Sequence, residues 1–359
     1  MRKSLSASLS ILIIISLFYS SCKKDDDSDD NNNTGGKYAW AVGNRDSTGY
    51  GVILFSSDYG EKWTRQGVGL TGLDGVDLTN VLATGNSTVW AVGTEGSIFK
   101  TNDAGQNWVR LVGPQVPENT EFMSVSAAGN SSVWISGSNG IVISTSDGGA
   151  SWTKYDTSFF RNGMMQGICA VNEDIVYVVG GVDSREAMRG FIGYTVDGGT
   201  NWDTLELDNN YNRHEWIGAS NYGTENIVIY GIQGHYSFTG DGGASWTNDS
   251  THIGGGDNGA DINCLKMLSP HSWWAALDYD HILLTHDSGA SWTDQGSAGP
   301  GNMFLVGIDH YGENYALVTG QSAGWPPGGK ILKTENGGDD WRLVYESDNY
   351  IVKVSFVKE

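Results

Sequence analysis

The sequence predicts an all-β fold built from repeated units, and two observations lead to this prediction. The first is composition: 51 glycines, 11% aromatic residues and no evident amphipathic helix are typical of a domain of short strands and tight turns. The second is an internal repeat, in which the octapeptide Thr145–Trp152 has six further copies at intervals of 44 to 50 residues. A period of this size indicates an architecture in which each unit packs on its neighbours.

Each copy of the octapeptide has the residues of a tight turn between two strands. Its constant positions read Ser/Thr-x-Asp-x-Gly-x-x-Trp. Asp and Ser/Thr side chains hydrogen-bond the backbone of their own turn, Gly tolerates a positive φ, and Trp supplies a large apolar surface to bury. The central position is occupied by Asp58, Asp103, Asp147, Asp197, Asp241, Asp287 and, in the seventh copy, Asn336.

The octapeptides resemble the Asp-box, also called the bacterial neuraminidase repeat, which usually forms the turn between the third and fourth strands of a β-propeller blade. The resemblance implies a β-propeller with one blade for each repeat. Residues 37–359 are similar in architecture to the photosystem II assembly and stability factor-like propellers, although the Arg-rich face of that family is only partly present. This resemblance implies an exported, lipid-anchored protein that binds protein partners. Asp-boxes also occur in sialidases and xyloglucanases, so a glycoside hydrolase remains the alternative.

The strand pattern predicts how the ring of blades closes. In the third repeat, four segments read as strands: Met123–Ala127, Val133–Gly137, Ile141–Thr145 and Trp152–Tyr155. The first repeat lacks the first of these strands, because the chain enters it at the second-strand motif that begins at Trp40. The alternating segment Ile351–Val357 supplies the missing strand. We therefore expect a single seven-bladed β-propeller with four antiparallel strands per blade, closed by the C-terminal strand in the first blade.

The N-terminal segment predicts export and anchoring. Met1–Ser21 has the basic start and apolar run of a secretory signal, and the two serines before Cys22 resemble a lipoprotein signal. Cys22 is therefore the predicted lipidation site, although Tyr19 departs from the Leu usual at that position. The apolar run is shorter than the roughly 20 residues that a membrane span needs, which disfavours an uncleaved anchor. We expect an extracytoplasmic location at the outer membrane or the cell surface.

Residues 22–36 predict a disordered acidic tether, since nothing after Cys22 offers an apolar side chain to bury. The run Lys-Lys-Asp-Asp-Asp resembles the export signal of some Gram-negative surface lipoproteins and equally fits a solvated spacer. Residues 37–359 then carry a net charge of −20, because the signal (+2) and the tether (−3) are removed from the total of −21. This charge argues against nucleic acid as a partner.

Cysteine and metal-ligand patterns predict no further site. With Cys22 lipidated, Cys169 and Cys264 remain, and they fall in the first strands of two blades that another blade separates. A disulfide needs a Cα separation of about 4.4 to 6.8 Å, so both are expected to be buried free thiols. No His or Cys spacing indicates zinc, and we expect neither a metal nor a cofactor.

Candidate binding residues lie where the repeat breaks, in the loops of the face opposite the octapeptide turns, which we call the variable face. One such predicted loop is 181–190, which accounts for the 50-residue interval. Arginines around the fourth blade are expected to hold a carboxylate or another anion, or alternatively to form surface ion pairs. Aromatic residues there are expected to stack on a sugar or anchor a partner protein, or alternatively to pack over the channel mouth. The candidates are Arg161, Arg185, Arg189, Arg213, Tyr211, Trp216 and Trp325.

Carboxylates on the same face are the residues that a glycosidase activity would require. Glu215, Asp257, Asp261 and Asp280 fall in its loops. A glycosidase needs two carboxyl groups roughly 5 to 9.5 Å apart across a sugar, and sequence alone does not pair them, so no catalytic residue is assigned. The sequence thus favours a non-catalytic binding or assembly module of the cell envelope, with a protein or a cell-surface glycan as partner. A sialidase-like or xyloglucanase-like hydrolase is the alternative.

Overall fold

The computed structural model describes residues 37–157, 163–184, 187–207, 215–253, 259–296, 303–322 and 328–357. Within these ranges the regular structure is almost entirely β-strand, numbered here in chain order. The strands are β1 Ala39–Arg45, β2 Gly51–Ser56, β3 Thr64–Gln66, β4 Leu78–Ala83, β5 Val89–Gly93, β6 Ser97–Thr101, β7 Trp108–Arg110, β8 Phe122–Ala128, β9 Ser132–Gly137, β10 Val142–Thr145, β11 Thr153–Lys154, β12 Met164–Ala170, β13 Val176–Ser184, β14 Ala187–Thr195, β15 Asp203–Thr204, β16 Trp216–Tyr222, β17 Asn226–Gly231, β18 His235–Thr239, β19 Thr247–Ser250, β20 Ile262–Met267, β21 Trp273–Leu277, β22 Ile282–Thr285, β23 Thr293–Asp294, β24 Met303–Tyr311, β25 Tyr315–Ser322, β26 Gly329–Thr334, β27 Arg342–Ser347 and β28 Ile351–Phe356.

The strands form seven four-stranded antiparallel sheets, which are the blades of a propeller. Blade 1 has the order β28-β1-β2-β3, and blades 2 to 7 take the following strands four at a time, from β4–β7 to β24–β27. The first strands of neighbouring blades contact one another around a complete ring, in the order β28, β4, β8, β12, β16, β20, β24 and back to β28. The predicted seven-bladed, all-β fold is confirmed.

The C-terminal strand closes the ring in blade 1, as predicted. In the ladder between β1 and β28, Ala39 pairs with Phe356 and Ala41 with Val354. The backbone N–H of Val357 then donates to the carbonyl of Tyr38 at 3.1 Å. Blade 1 therefore draws its strands from both ends of the described chain.

The seven octapeptides form the turns between the third and fourth strands. In the turn of blade 3, the Thr145 hydroxyl donates to Asp147 Oδ1 at 2.7 Å and accepts from the Gly149 N–H at 2.8 Å. The same Oδ1 accepts from the Ser151 N–H at 2.9 Å, and Oδ2 accepts from the Ser151 hydroxyl at 2.6 Å. These hydrogen bonds favour the ionised form and hold the pKa of Asp147 well below its usual range. In blade 5 the equivalent bonds lower the pKa of Asp241 to about 2.

The turn glycine and the second-strand tryptophan meet across neighbouring blades. Gly149 of blade 3 has a φ of +93°, and a Cβ there would lie 3.1 Å from the ring of Trp90 in blade 2. Trp90 also meets Trp152 edge to face, with ring centroids 6.2 Å apart. The cores of the propeller consequently lie between blades, and the cluster around Trp90 includes Ile135 and Ile143 of blade 3. Each repeat therefore completes the core of the one before it.

The insertion in blade 4 is a hairpin rather than the predicted loop 181–190. Strands β13 and β14 are nine residues each, and their ladder continues through the Val182–Arg189 pair to Ser184 and Ala187. The prediction of a loop was wrong because the backbone pairing of β13 with β14 continues through the inserted residues.

Two other expectations concern cysteines and the membrane. Cys169 and Cys264 are both buried and free, as predicted. Burial raises the pKa of the Cys169 thiol to about 12. Across the part of the chain that the structure describes, no helix is long and apolar enough to cross a membrane. Cys22, the signal and the tether lie outside the described residues.

Candidate binding face

The variable face carries an acidic residue at one repeated position, immediately before the first strand of a blade. This position is occupied by Asp77, Glu121, Glu215 and Asp261 in blades 2, 3, 5 and 6. Its carbonyl accepts a hydrogen bond from the residue that follows the second strand of the same blade, as from Ile232 to Glu215 at 3.1 Å. Because the first strands line the central channel, these residues lie at the variable-face end of that channel, and Glu121 lines the channel cavity itself. We call these four residues, with Asp278, whose backbone N–H donates to the Asp261 carbonyl, the acidic mouth.

Within the described residues, most of these carboxylates have no neutralising cation. Asp77 is the exception, since the guanidinium of Arg45 binds it through two nitrogens, each at 3.0 Å. Among the described residues, Glu121, Glu215 and Asp261 make no salt bridge. Burial, with a smaller contribution from the Asp77 charge, raises the pKa of Glu121. The mouth therefore holds negative charge that the described part of the fold does not balance.

Blades 5 and 6 bring three carboxylates together on this face. Burial raises the pKa of Glu215; the hydrogen bond from the Gln166 amide lowers it, and the charge of Asp261 raises it further. Burial and the same Asp261 charge raise the pKa of Asp278, although Asn263 Nδ2 donates to Asp278 Oδ1 at 2.8 Å. Burial is the main cause of both upward shifts, and the charge of Asp261 adds to each, so Asp261 interacts electrostatically with Glu215 and with Asp278.

The central channel contains a cavity of about 420 Å³ with its own buried charges. Burial alone would lower the pKa of Lys266, but the neighbouring Asp309 carboxylate raises it, and the net direction is upward. Asp309 Oδ2 also accepts from the backbone N–H of Phe356 at 2.8 Å. The Lys353 ammonium donates to the main-chain oxygens of Asn263 and Val306. These cations lie along the channel wall and make no salt bridge to the described carboxylates of the mouth.

Exposed apolar side chains lie beside the acidic mouth. Tyr279 is 68% exposed in the turn between β21 and β22, and Phe304 is 39% exposed near the start of β24. Their ring centroids are 6.4 Å apart. Met164 is exposed at the start of β12 on the same face. Aromatic and Met side chains next to unbalanced carboxylates are suited to a positively charged partner with an apolar component.

Trp216 requires a correction to the sequence analysis. The sequence predicts it on the variable face as a ligand-contacting aromatic, with packing as the alternative, but its side chain is 0% exposed. As the first residue of β16, it points into the core between blades 4 and 5, where it joins Val179 and Ile192. A fully buried indole cannot stack on a ligand, so packing is its role.

The other sequence-predicted binding residues are not brought together by the described structure. Arg161, Arg185, Tyr211, Arg213 and Trp325 lie outside the described residues. For Arg189 the structure gives the backbone, which pairs with Val182 in the inserted hairpin. The expectation of an arginine cluster on this face stays a prediction.

Several residues of the acidic mouth were missed by the sequence analysis. Asp77, Glu121 and Asp278 were not singled out, whereas Glu215 and Asp261 were. Alignment of the blades by their first strands would have revealed the position before the strand, since it is acidic in four blades. Among the described residues, no cluster of His, Cys, Asp or Glu has the geometry to hold a metal ion.

Comparisons with known proteins bear on the family and the fold. Residues 76–209, which span blades 2 to 4, match the family described as photosynthesis system II assembly factor YCF48. YCF48 from Cyanidioschyzon merolae is similar in structure, with 18% identity, 84% of this chain and 93% of that chain covered, and a TM-score of 0.62. A search of curated proteins found no match.

Two further solved structures share the architecture. YCF48 bound to a D1 peptide has 20% identity, with 74% of this chain and 80% of that chain covered and a TM-score of 0.57. The WD40 β-propeller domain of Doa1 has 13% identity, with 76% of this chain and 82% of that chain covered and a TM-score of 0.53. At these identities the structural similarities establish the fold, and the match over residues 76–209 relates it to YCF48 sequences. The chain is thus a seven-bladed β-propeller whose blades 2 to 4 are similar to YCF48 sequences.

Proposed function

We propose that this chain is a lipid-anchored protein of the cell envelope that binds a protein partner through its variable face and catalyses no reaction. The observation that carries the proposal is the acidic mouth of the channel, where Glu121, Glu215 and Asp261 lie without salt bridges among the described residues. Carboxylates that no described cation balances, next to exposed Tyr279 and Phe304, form a surface that a basic protein segment would complement.

The comparisons support a peptide-binding role for this fold. A YCF48 structure of similar architecture is described as bound to a D1 peptide. The loops of the variable face vary while the blades repeat, which is the usual division between a rigid scaffold and a binding surface.

Glycoside hydrolysis is the second candidate, and one observation favours it. Burial raises the pKa of Glu215 and of Asp278, and both lie near Asp261; a glycosidase likewise uses a pair of neighbouring carboxyl groups, of which the general acid has a raised pKa. A cell-surface glycan bound without cleavage is the related non-catalytic case. Product analysis on a panel of polysaccharides separates the two, and cleavage that is lost in Glu215→Gln would establish the hydrolase.

Site-directed cross-linking in the host cell tests the main proposal. A photo-reactive amino acid replaces Met164 on the variable face, and the matched control replaces Tyr222, which is 46% exposed at the far end of β16. We expect a discrete protein adduct from position 164 and none from position 222. Equal adducts at both positions, or none from position 164, would contradict a binding role of this face.

The anchor is tested separately. The proposal places Cys22 under a lipid at the outer membrane or the cell surface, on the strength of the sequence that precedes it. We expect Cys22→Ser to abolish incorporation of radiolabelled palmitate and to release the chain from the membrane fraction. Membrane association that persists in Cys22→Ser would exclude the lipid anchor while leaving the binding role open.

A further inference from the structure

A pocket of about 510 Å³ opens on the variable face between blades 5 and 6. One wall is the turn after β17, at Ile232 and Gln233. The opposite wall is the turn after β21, and the floor is the segment Gly259–Asp261 that leads into β20. The pocket is therefore built from loops of two blades, and its shape depends on how those blades pack.

The charge of this pocket comes from Asp261 and Asp278. Asp261 Oδ1 accepts from the Gln233 N–H at 2.7 Å, and Asp278 Oδ1 accepts from Asn263 Nδ2 at 2.8 Å. Each hydrogen bond fixes one carboxylate oxygen, and no salt bridge within the described residues neutralises either group. Glu215 adds a third charge nearby, because its carboxyl and that of Asp261 influence each other. A ligand that enters the pocket meets fixed negative charge.

Tyr279 forms the aromatic wall, and the backbone holds it there at a cost. Tyr279 and Asp280 have φ values of +62° and +66°, a conformation that is unfavourable for a bulky side chain. The turn is fixed on both sides: the Asp278 N–H donates to the Asp261 carbonyl at 3.2 Å, and the Asp280 N–H donates to the Met303 carbonyl at 3.1 Å. The Asp280 carboxylate in turn accepts from the Met303 N–H.

The Tyr279 ring is 68% exposed in this turn. Its only ring partner among the described residues is Phe304, with centroids 6.4 Å apart. Glu95, Asn139 and Gln233 have the same positive φ in the equivalent turns of blades 2, 3 and 5, so this conformation belongs to the hairpin of a blade. What distinguishes blade 6 is the exposed aromatic ring that this turn presents at the pocket. The pre-set position of the ring also reduces the ordering that a ligand would otherwise require.

We propose that this pocket binds a cationic side chain, a lysine or an arginine, of the partner protein. The inference rests on the proposed function and specifies the chemistry that the partner presents. A cation complements both the carboxylates and the aromatic wall of the pocket. It pairs with Asp261 and Asp278 and lies against the electron-rich face of Tyr279. An anionic side chain would be repelled, and an aliphatic one would leave two carboxylates desolvated and unpaired.

The test uses fluorescein-labelled Gly-Ser peptides that carry three lysines, three arginines, three norleucines or three glutamates, titrated with the full-length chain. We expect the cationic peptides to bind at least about tenfold more tightly than the norleucine peptide, an effect that weakens with added salt. Asp278→Asn should weaken lysine-peptide binding about tenfold, and Tyr279→Ala about fivefold. Tyr279→Phe keeps the ring face and should stay within about twofold.

Matched control substitutions test whether the loss of peptide binding is specific to the pocket. Asp203→Asn removes an exposed carboxylate on the outer strand β15, and Tyr222→Ala removes an exposed ring at the far end of β16. Both should leave peptide binding unchanged. Equal binding of the lysine and norleucine peptides, no binding of the lysine peptide, or unchanged binding by Asp278→Asn would overturn the inference. Tighter binding of free spermidine than of the lysine peptide would overturn it in favour of a polyamine.

The cross-linking experiment separates this inference from the proposed function. If the parent chain forms no adduct through position 164, the proposed function fails. If the adduct forms and persists undiminished when Asp278→Asn and Tyr279→Ala are added, the face binds a partner but the pocket does not hold its cation. Loss of the adduct in both variants, but not in Asp203→Asn, supports the inference.

Discussion

Ala39 in the first described strand pairs with Phe356 in the last one, so both ends of the propeller meet in a single blade. The apolar side chains of β28 pack between blades 7 and 1, in a cluster that includes Ile351, Leu317 and Leu54. Stability of the whole ring therefore depends on β28, a strand that lies far in sequence from the other strands of its blade.

Ile351→Ala tests this dependence. Ile351 is fully buried, and loss of a core side chain of this size costs about 2–5 kcal/mol in unfolding free energy. We expect urea denaturation to show a lower midpoint for this variant. The control Val112→Ala, at a residue that is 91% exposed, should change stability by less than about 0.5 kcal/mol. Equal effects of the two substitutions would contradict closure by β28.

The seventh turn makes a specific prediction, because Asn336 and Asp340 have exchanged roles relative to the other turns. In five turns the central Asp accepts from a Ser or Asn four residues later, as Asp147 does from Ser151. In the seventh, Asn336 Nδ2 donates instead to Asp340 Oδ2 at 3.2 Å. Asn336→Asp would therefore replace a hydrogen bond by a contact between two carboxylates.

We expect Asn336→Asp to lower the unfolding free energy by about 1 kcal/mol at neutral pH, the net value of one such bond. The double variant Asn336→Asp with Asp340→Ser should restore stability, because it recreates the arrangement of Asp147 and Ser151. Chemical denaturation of both variants measures the difference. A double variant no more stable than the single one would show that the side-chain pair does not govern the turn.

The ring could be predicted from the sequence because its signals are local and repeated. The turn residues, the second-strand tryptophans and the final alternating strand each act within one blade or at its edge, and the structure confirms all three. The pocket between blades 5 and 6 could not be predicted in this way. It depends on Asp261 and Asp278 meeting Gln233 across a blade boundary, and a repeat pattern does not specify which loop positions face each other.

Trp216 shows how the sequence analysis can place a core residue on the binding face. It falls outside both tryptophan patterns of the repeat, so the sequence analysis places it at the variable face as a candidate binding residue. Alignment of first strands places it with Leu78, Phe122 and Ile262, each the first residue of such a strand and each buried. The position in the blade, rather than the residue type, determines that its side chain points into the core.

Trp216→Ala tests this assignment. Removal of a fully buried Trp should lower the unfolding free energy by about 3–5 kcal/mol. Tyr222→Ala on the same strand removes a half-exposed ring and should cost much less. Thermal unfolding followed by circular dichroism measures both. If the Trp216→Ala chain were as stable as the Tyr222→Ala chain, the assignment of Trp216 to the core would be contradicted.

The acidic mouth predicts how stability depends on pH. The folded-state pKa of Asp278 lies above its ordinary value, mainly because of burial, with the charge of Asp261 adding to the shift. The folded state then binds a proton more readily than the unfolded state, so ionised Asp278 destabilises the fold above the raised pKa. This penalty decreases as the pH falls through the folded pKa, and it is absent below the unfolded value of about 3.9.

Asp278→Asn should therefore be more stable than the parent at pH 7, and the two should converge near a pH of about 3.5, below the unfolded pKa. The amide oxygen that this substitution introduces can still accept the hydrogen bond from Asn263, so the charge is removed and the contact is kept. Thermal melts across this pH range measure the gap, with Asp203→Asn as the exposed control. A variant less stable at pH 7, or a gap that does not change with pH, would contradict the assignment. A gain in stability combined with a loss of cationic-peptide binding would identify Asp278 as a carboxylate that the fold tolerates because its partner requires it.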